Sequence, residues 1–243
     1  IKYNIADNSM KSSTTEDEYK KSQDGVTVSK HITKNDKENY FDIELSVKVG
    51  EEIELINGKQ GVWSAKIQVL KKKVSVELVR QKETQKNLRP CILCPALIKK
   101  EAMNLVLQKA TELGATEIYP VLSERTVVSK INQERAESII YEACEQCERM
   151  DIPVLHEPKP LQDVLAEVSK KADIVWLSER GTHHDKKLSK TPALFVGPEG
   201  GWSPKEQELF RKFKAIEWHL GQTILRAETA SIAGLTLCLN KKE

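Results

Sequence analysis

From Pro90 onward, short apolar runs alternate with segments of helical periodicity, and this alternation limits the fold more than any other feature of the chain. Residues 91–97 form one apolar run. Residues 101–113 follow with Leu105, Val106, Ala110 and Leu113 at helical spacing, and Gly114 is a ready C-terminal stop. Residues 117–122 read as a strand and residues 132–150 as a helix carrying Ile139, Ile140, Ala143 and Cys147 on one face. A further helix is expected over 161–168 and strands over 174–177, 193–196 and 215–220, with a helix after residue 203 and an apolar one over 232–239. Parallel strands need a crossover between them, usually a helix. Strands separated by helices therefore imply an α/β fold with a mostly parallel sheet covered on both faces.

The first third is patterned differently. Residues 40–47, 52–56, 62–70 and 74–79 are β-branched or alternating, and Asn57-Gly58 between two of them suits the positive φ angles of a type I′ hairpin turn. Several short strands without an amphipathic helix suggest a small β-barrel or sandwich. Polar residues 81–87 read as the linker. A length of 243 residues accommodates two small domains, expected at 1–86 and 87–243.

Composition narrows the class. Hydrophobic residues make up 39% and charged residues 30%, the balance of a folded, soluble protein. Lys and Arg number 38 against 36 Asp and Glu, a net charge of +2, so any nucleic-acid contact must be a local patch. No run approaches the roughly 18 apolar residues of a membrane span. The opening IKYNIADNSM has no apolar core and no cleavage site of a secretory signal, and the missing initial Met leaves open a start codon further upstream. Five Cys is an odd count, which argues against a disulfide framework and for a reducing, cytoplasmic compartment.

Two CxxC pairs, Cys91/Cys94 and Cys144/Cys147, invite a zinc site. Cys91 and Cys94 fall on an expected strand, where residues three apart point to opposite faces, and the pairs are too far apart for ribbon-type spacing. Core packing suits these cysteines better. His183-His184-Asp185 reads as a solvated loop rather than a metal or acid–base site, and Lys71-Lys72-Lys73 as a solvated strand end rather than a phosphate contact.

The strongest local signal runs from Phe195 to Glu206: an apolar strand, the loop Gly197-Pro198-Glu199-Gly200-Gly201, then a marked helix start. Ser203 is the expected N-cap, Pro204 fits the first helical position, and Glu206 completes a capping box. Glycines let backbone approach a ligand, and loops beyond the carboxyl ends of strands are where α/β sheets bind. The loop matches neither the GxGxxG nor the GxxxxGK[ST] pattern. Glu199 would repel phosphate, so an adenosine-like or cationic ligand fits better. The second signal is Leu220-Gly221-Gln222-Thr223-Ile224-Leu225-Arg226-Ala227-Glu228-Thr229-Ala230, another strand end and glycine loop with Arg226, Glu228 and Thr229 at a helix start. The helix dipole favours Glu228 there and opposes Arg226. The two loops can form two walls of one pocket, and the residues alone carry the argument no further.

VGPEGGWS and LGQTILRAETA together resemble the signatures of the ribosomal RNA small-subunit methyltransferase E family, within the knotted SPOUT methyltransferases. LVLQKATELGATEIYPVLSERTVV (105–128) and EACEQCER (142–149) add to the match, and VKVGEEIELING (47–58) is similar to that family's PUA-like β-barrel. The resemblance implies methyl transfer from S-adenosylmethionine to N3 of one uridine in 16S ribosomal RNA, by a homodimer whose catalytic domain ties a trefoil knot. Carried over by position, it implies a cofactor site of Leu177, Ser178 and Glu179, then Gly197, Pro198, Glu199, Gly200 and Gly201, then Leu220, Gly221, Ile224, Leu225, Arg226 and Thr229. Arg125 and Arg149 fall in matching motifs as candidate RNA contacts, with a structural ion pair the alternative for each. Ser46 stands where the family usually has a basic residue, and Glu148 where it usually has glycine.

Uracil N3 is a poor nucleophile until its proton leaves, and a cation near O2 or O4 stabilises the developing charge. Arg226 is the candidate for that role, with Glu228 or Glu199 as proton acceptor. Either carboxylate can instead hold the cofactor amine or order its loop. A sulfonium leaving group requires no metal. The alternatives are a SPOUT enzyme acting on another RNA base and an inactive RNA-binding relative.

Overall fold

The computed structural model describes residues 2–4, 27–29, 44–46, 50–56, 60–70, 73–86, 88–179, 188 and 191–240. Asn57-Gly58, Lys71-Lys72 and His183-His184-Asp185 lie outside the described residues. The chain forms two compact units: Ile1–Asn87 with Glu145–Asp151, and Leu88–Cys144 with Ile152–Glu243. Among the described residues no helix is long and apolar enough to cross a membrane.

The first unit contains β1 (Lys2–Asn4), β2 (Thr27–Ser29), β3 (Glu44–Ser46), β4 (Glu52–Ile56), β5 (Val62–Leu70) and β6 (Lys73–Glu83). They make a four-stranded sheet ordered β1-β4-β5-β6 and an antiparallel β2-β3 pair. Strands β4, β5 and β6 run antiparallel, and β1 joins β4 in parallel. Leu55, Ile56, Val62, Ala65 and Ile67 are buried, with Met150 packed against Ile56 and Val62. The expected linker begins too early, because Gln81, Lys82 and Glu83 continue β6. Two register shifts in the β5-β6 pair keep this polar end on the ladder, and Gln81 donates to the Gln60 carbonyl at 2.8 Å. At the open edge of a sheet, polar residues are compatible with a strand.

The second unit contains β7 (Ile92–Pro95), α1 (Lys100–Leu113), β8 (Glu117–Ile118), β9 (Val121–Leu122), α2 (Gln133–Gln146), β10 (Val154–Leu155), β11 (Lys159–Pro160), α3 (Leu161–Val168), β12 (Ala172–Leu177), β13 (Thr191–Val196), α4 (Pro204–Lys212), β14 (Ile216–Trp218) and α5 (Ala227–Asn240). Its main sheet is ordered β10-β8-β7-β13-β12-β14, and every pairing is parallel. Period-two alternation assigns each strand residue to a layer. Cys91, Leu93, Val175, Leu177, Leu194 and Val196 pack with α1, α2 and α5, whereas Ile92, Cys94, Ile174, Trp176, Ala193 and Phe195 pack with α3 and α4. Burial on both faces explains why these strands are almost continuously apolar.

Gly114 caps α1 in the left-handed region at φ 103. Gly234 lets α5 settle on β13, where an added Cβ would lie 2.6 Å from Leu194 Cδ2. The expected strand over 117–122 is two, because Tyr119 and Pro120 separate β8 in the main sheet from β9, which pairs with β11. The expected helix over 132–150 stops at Gln146, since Glu148 adopts φ 54, a left-handed conformation that costs a non-glycine residue about 1–2 kcal/mol. Cys91, Cys94, Cys144 and Cys238 are buried, while Cys147 lies past α2 and is exposed rather than on a helical face. Its hydrogen bond with Cys238, and then burial, push the Cys91 thiol up; burial pushes Cys94 up as well.

A charged network ties β8, β10, β11 and α3 together. Lys171 Nζ donates to both Glu117 oxygens at 2.7 Å, and His156 Nε2 lies 2.9 Å from Glu117 Oε2. The Tyr119 hydroxyl shares its hydrogen between Glu117 Oε2 at 3.1 Å and Glu167 Oε1 at 2.9 Å, and Lys159 Nζ reaches Glu167 at 2.7 Å. Partial burial works against charge on Glu117, but bonds from Lys171, His156 and Tyr119 outweigh it and hold the carboxyl below its usual range. Lys159, then Tyr119, hold Glu167 low as well. A carboxyl depressed in the folded state contributes stability above its unfolded pKa of ~4.3, lost as pH falls through the lower folded value. Urea unfolding between pH 7 and pH 3 should therefore show wild type losing more stability than Glu117→Gln below about pH 4. Parallel curves would remove the network from the acid response.

Candidate functional site

Because β12, β13 and β14 are parallel neighbours, the segments leaving their carboxyl ends emerge at one edge of the sheet. The Ser178 amide donates to the Trp218 carbonyl at 3.0 Å, and His219 Nδ1 donates to the Ser178 carbonyl at 3.3 Å, which fastens the exits of β12 and β14. Between the segments lies a cavity of about 490 Å³, within the roughly 300–1,000 Å³ of small-molecule sites.

The glycine loop after β13 forms one wall. Its turn closes through the Gly201 amide on the Pro198 carbonyl at 2.8 Å, with Gly201 at φ 65. Gly197 leaves room for Trp202, since an added Cβ would meet the indole at 3.2–3.4 Å. Trp202 is buried, stacks edge-on against Phe210, and has no hydrogen-bond partner for Nε1. Helix α4 begins as its sequence dictates, with a complete Ser203–Glu206 capping box and Pro204 in the first turn. The second wall comes from Leu220, Thr223, Ile224 and Leu225, and Ile224 is 74% exposed at the mouth. Three carboxylates, Glu179, Glu199 and Glu217, line the cavity with Arg125 and His219. That donor set suits a cationic ligand and opposes a polyphosphate.

Of the sequence-derived residues, Leu177, Ser178, Glu179, Gly197, Pro198, Glu199, Gly200, Gly201, Leu220, Ile224 and Leu225 line this cavity, and Gly221, Arg226, Glu228 and Thr229 do not. Arg226 is exposed, and its carbonyl accepts the Ala230 amide at 2.8 Å as α5 begins. Glu228 is half-buried in the first turn, where the helix dipole favours it. The two candidate RNA-contacting arginines differ. Arg125 is exposed and lines the cavity, donating from Nη1 to the Gly200 carbonyl at 2.5 Å. Arg149 belongs to the first unit, with its side chain only 6% exposed and bonded to Asp151 through Nη2 at 2.7 Å and Nε at 3.2 Å. It has the geometry of the structural ion pair. Sequence reasoning missed Trp176, Trp202, Gln207, Glu217 and His219 as lining residues. Glu217 and His219 flank buried Trp218, an alternation that signals a shared second face at the strand's end.

A family model described as an RNA methyltransferase domain matches residues 84–239. The ribosomal RNA small subunit methyltransferase E of Rickettsia conorii is 31% identical over 206 residues, covering 81% of this chain and 84% of that protein. The protein of the same name from Synechocystis is 31% identical over 209 residues, covering 81% and 68%. Among solved structures, a ribosomal RNA small subunit methyltransferase E from Neisseria gonorrhoeae bound to S-adenosyl methionine matches with a TM-score of 0.69 and 29% identity, over 79% of this chain and 83% of that one.

The packing of the glycine wall predicts that Gly197→Ala displaces the Trp202 indole from Phe210. Overpacking of this kind costs about 1–3 kcal/mol, measurable as a lower urea midpoint with altered tryptophan emission. An unchanged midpoint and spectrum would show that the added methyl is accommodated without moving the indole.

Proposed function

The chain belongs to the ribosomal RNA small subunit methyltransferase E family, and we propose on that premise that its cavity holds S-adenosylmethionine and directs a methyl group to N3 of one uridine in 16S ribosomal RNA. The observation that carries this reading is the convergence of both motif loops and Ser178-Glu179 on one cavity of about 490 Å³. S-adenosylmethionine supplies an electrophilic methyl on a sulfonium and carries an ammonium group. Three carboxylates oppose those cations, the glycine wall admits a close backbone approach, and Leu177, Ile224 and Leu225 offer apolar surface to the adenosine.

The chain's own groups divide the remaining work. Arg226 is exposed between Leu225 and Ala227, which line the cavity, and in this reading it faces the incoming base. Its guanidinium stabilises charge on the uracil oxygens as the N3 proton leaves. Glu199 lines the cavity whereas Glu228 does not, and this placement favours Glu199 as the proton acceptor and leaves Glu228 to order the start of α5. Exposed Arg125 offers its outward donors to the RNA backbone.

On the same premise the second unit is a trefoil-knotted SPOUT domain, and the strands of the first unit are a PUA-like barrel that grips RNA. Helix α5 is apolar around its circumference, with Ile232, Ala233 and Leu237 only half-buried, and such a helix calls for cover. A second copy of the chain supplies that cover in a homodimer. The substrate places the enzyme in the cytoplasm, where small subunits are assembled.

Calorimetric titration should show S-adenosylmethionine binding and ATP not binding; the reverse would overturn the cofactor assignment. Arg226→Ala should keep its donor affinity while losing about 10²–10³-fold in turnover. Near-normal turnover with intact donor binding would remove Arg226 from the chemistry.

A further inference from the structure

Glu206 does not line the cavity, yet its buried carboxylate joins two segments that do. Oε2 accepts the Ser203 amide at 2.7 Å, and Ser203 Oγ accepts the Glu206 amide at 3.2 Å. That pair completes the cap of α4 and uses one carboxylate oxygen. Oε1 turns away from the helix and accepts the backbone amide of Glu124 at 2.9 Å, across 82 residues of sequence. Capping gives no reason for this second bond.

The segment it reaches is a self-braced turn. Thr126 Oγ1 accepts the Ser123 amide at 3.0 Å and lies 2.6 Å from Ser123 Oγ, and the Thr126 amide donates to the Ser123 carbonyl at 3.2 Å. Fixing Glu124 in this turn fixes where the Arg125 side chain starts. From there Arg125 lies over Gly200, where an added Cβ would meet its Cδ at 3.4 Å, and its guanidinium donates to the Gly200 carbonyl. Gly200 sits between Glu199 and Gly201 in the cavity wall. A long arginine side chain gives up rotamer freedom to hold one geometry, and a pinned backbone reduces what is left to order.

We propose that Glu206 is a positioning residue of the methyl-donor site: it holds the turn from which Arg125 clamps the glycine wall, and so shapes the cavity without touching the ligand. The inference rests on the cavity being the S-adenosylmethionine site.

The test is calorimetric titration of S-adenosylmethionine into wild type, Glu206→Gln, Arg125→Gln, the double variant and Ser203→Ala. An amide at position 206 cannot accept both bonds through carboxylate oxygens, and Glu206→Gln is expected to weaken binding about tenfold. Arg125→Gln should weaken it by a similar factor, and the double variant should be no weaker than either single one, because both remove the same clamp. Ser203→Ala removes half of the cap but not the Glu124 bond, so its affinity should stay within about twofold of wild type whatever its unfolding midpoint. Additive losses, wild-type affinity in Glu206→Gln, or equal weakening in Ser203→Ala would overturn the proposal. If Glu206→Gln does not fold, wild-type affinity in Arg125→Gln overturns it alone, and a tenfold loss there sustains the clamp. A wild type that binds no S-adenosylmethionine is a separate result: it removes the cofactor assignment and this inference with it.

Discussion

A parallel strand ends far from where its neighbour begins, so the chain must cross over a sheet face before it can add the next one. In the second unit that requirement sends the carboxyl ends of β12, β13 and β14 to a common edge and places helices on both faces. The cavity follows from this arrangement. Neither glycine loop encloses a ligand alone, but three adjacent exits meet there, fastened by backbone bonds between Ser178 and Trp218 and across the 198–201 turn. Precise loop geometry is supplied by a rigid sheet.

Charge gives the cavity direction. Under the proposed cofactor assignment, Glu179, Glu199 and Glu217 would attract a donor that carries a sulfonium and an ammonium group more strongly than the product, which has lost the sulfonium charge. The carboxylates proposed to seat the donor would thus favour exchange after transfer. The chain's +2 net charge gives no general steering of RNA, so the proposed RNA contact depends on local charge, and exposed Arg125 and Arg226 place positive charge in and beside the cavity.

What the sequence made legible was local. Ser203, Pro204 and Glu206 specify a helix start within four residues, and the structure has that capping box and that proline. The alternating apolar runs likewise determine which face of β7, β12 and β13 each side chain takes. Where a long-range partner decides the outcome, the sequence was silent. Gln81 to Glu83 are polar but held in β6 by an edge ladder, and the second oxygen of Glu206 finds Glu124 only after folding. Arg125 and Arg149 look alike within their motifs. Asp151, two residues beyond Arg149, was the available sign of an ion pair. Pro120 was likewise the sign that residues 117–122 make two strands. Residue chemistry alone reached a small-molecule pocket in an α/β domain; the motifs and the relatives supplied the reaction.

The central claim is that this cavity serves methylation of one base in the small subunit. Small ribosomal subunits lacking the modification, incubated with the protein and methyl-labelled S-adenosylmethionine, can be digested to nucleosides and resolved by mass spectrometry. The account predicts label in N3-methyluridine at a single site of 16S ribosomal RNA. Label in another nucleoside, or none despite demonstrated donor binding, would contradict it.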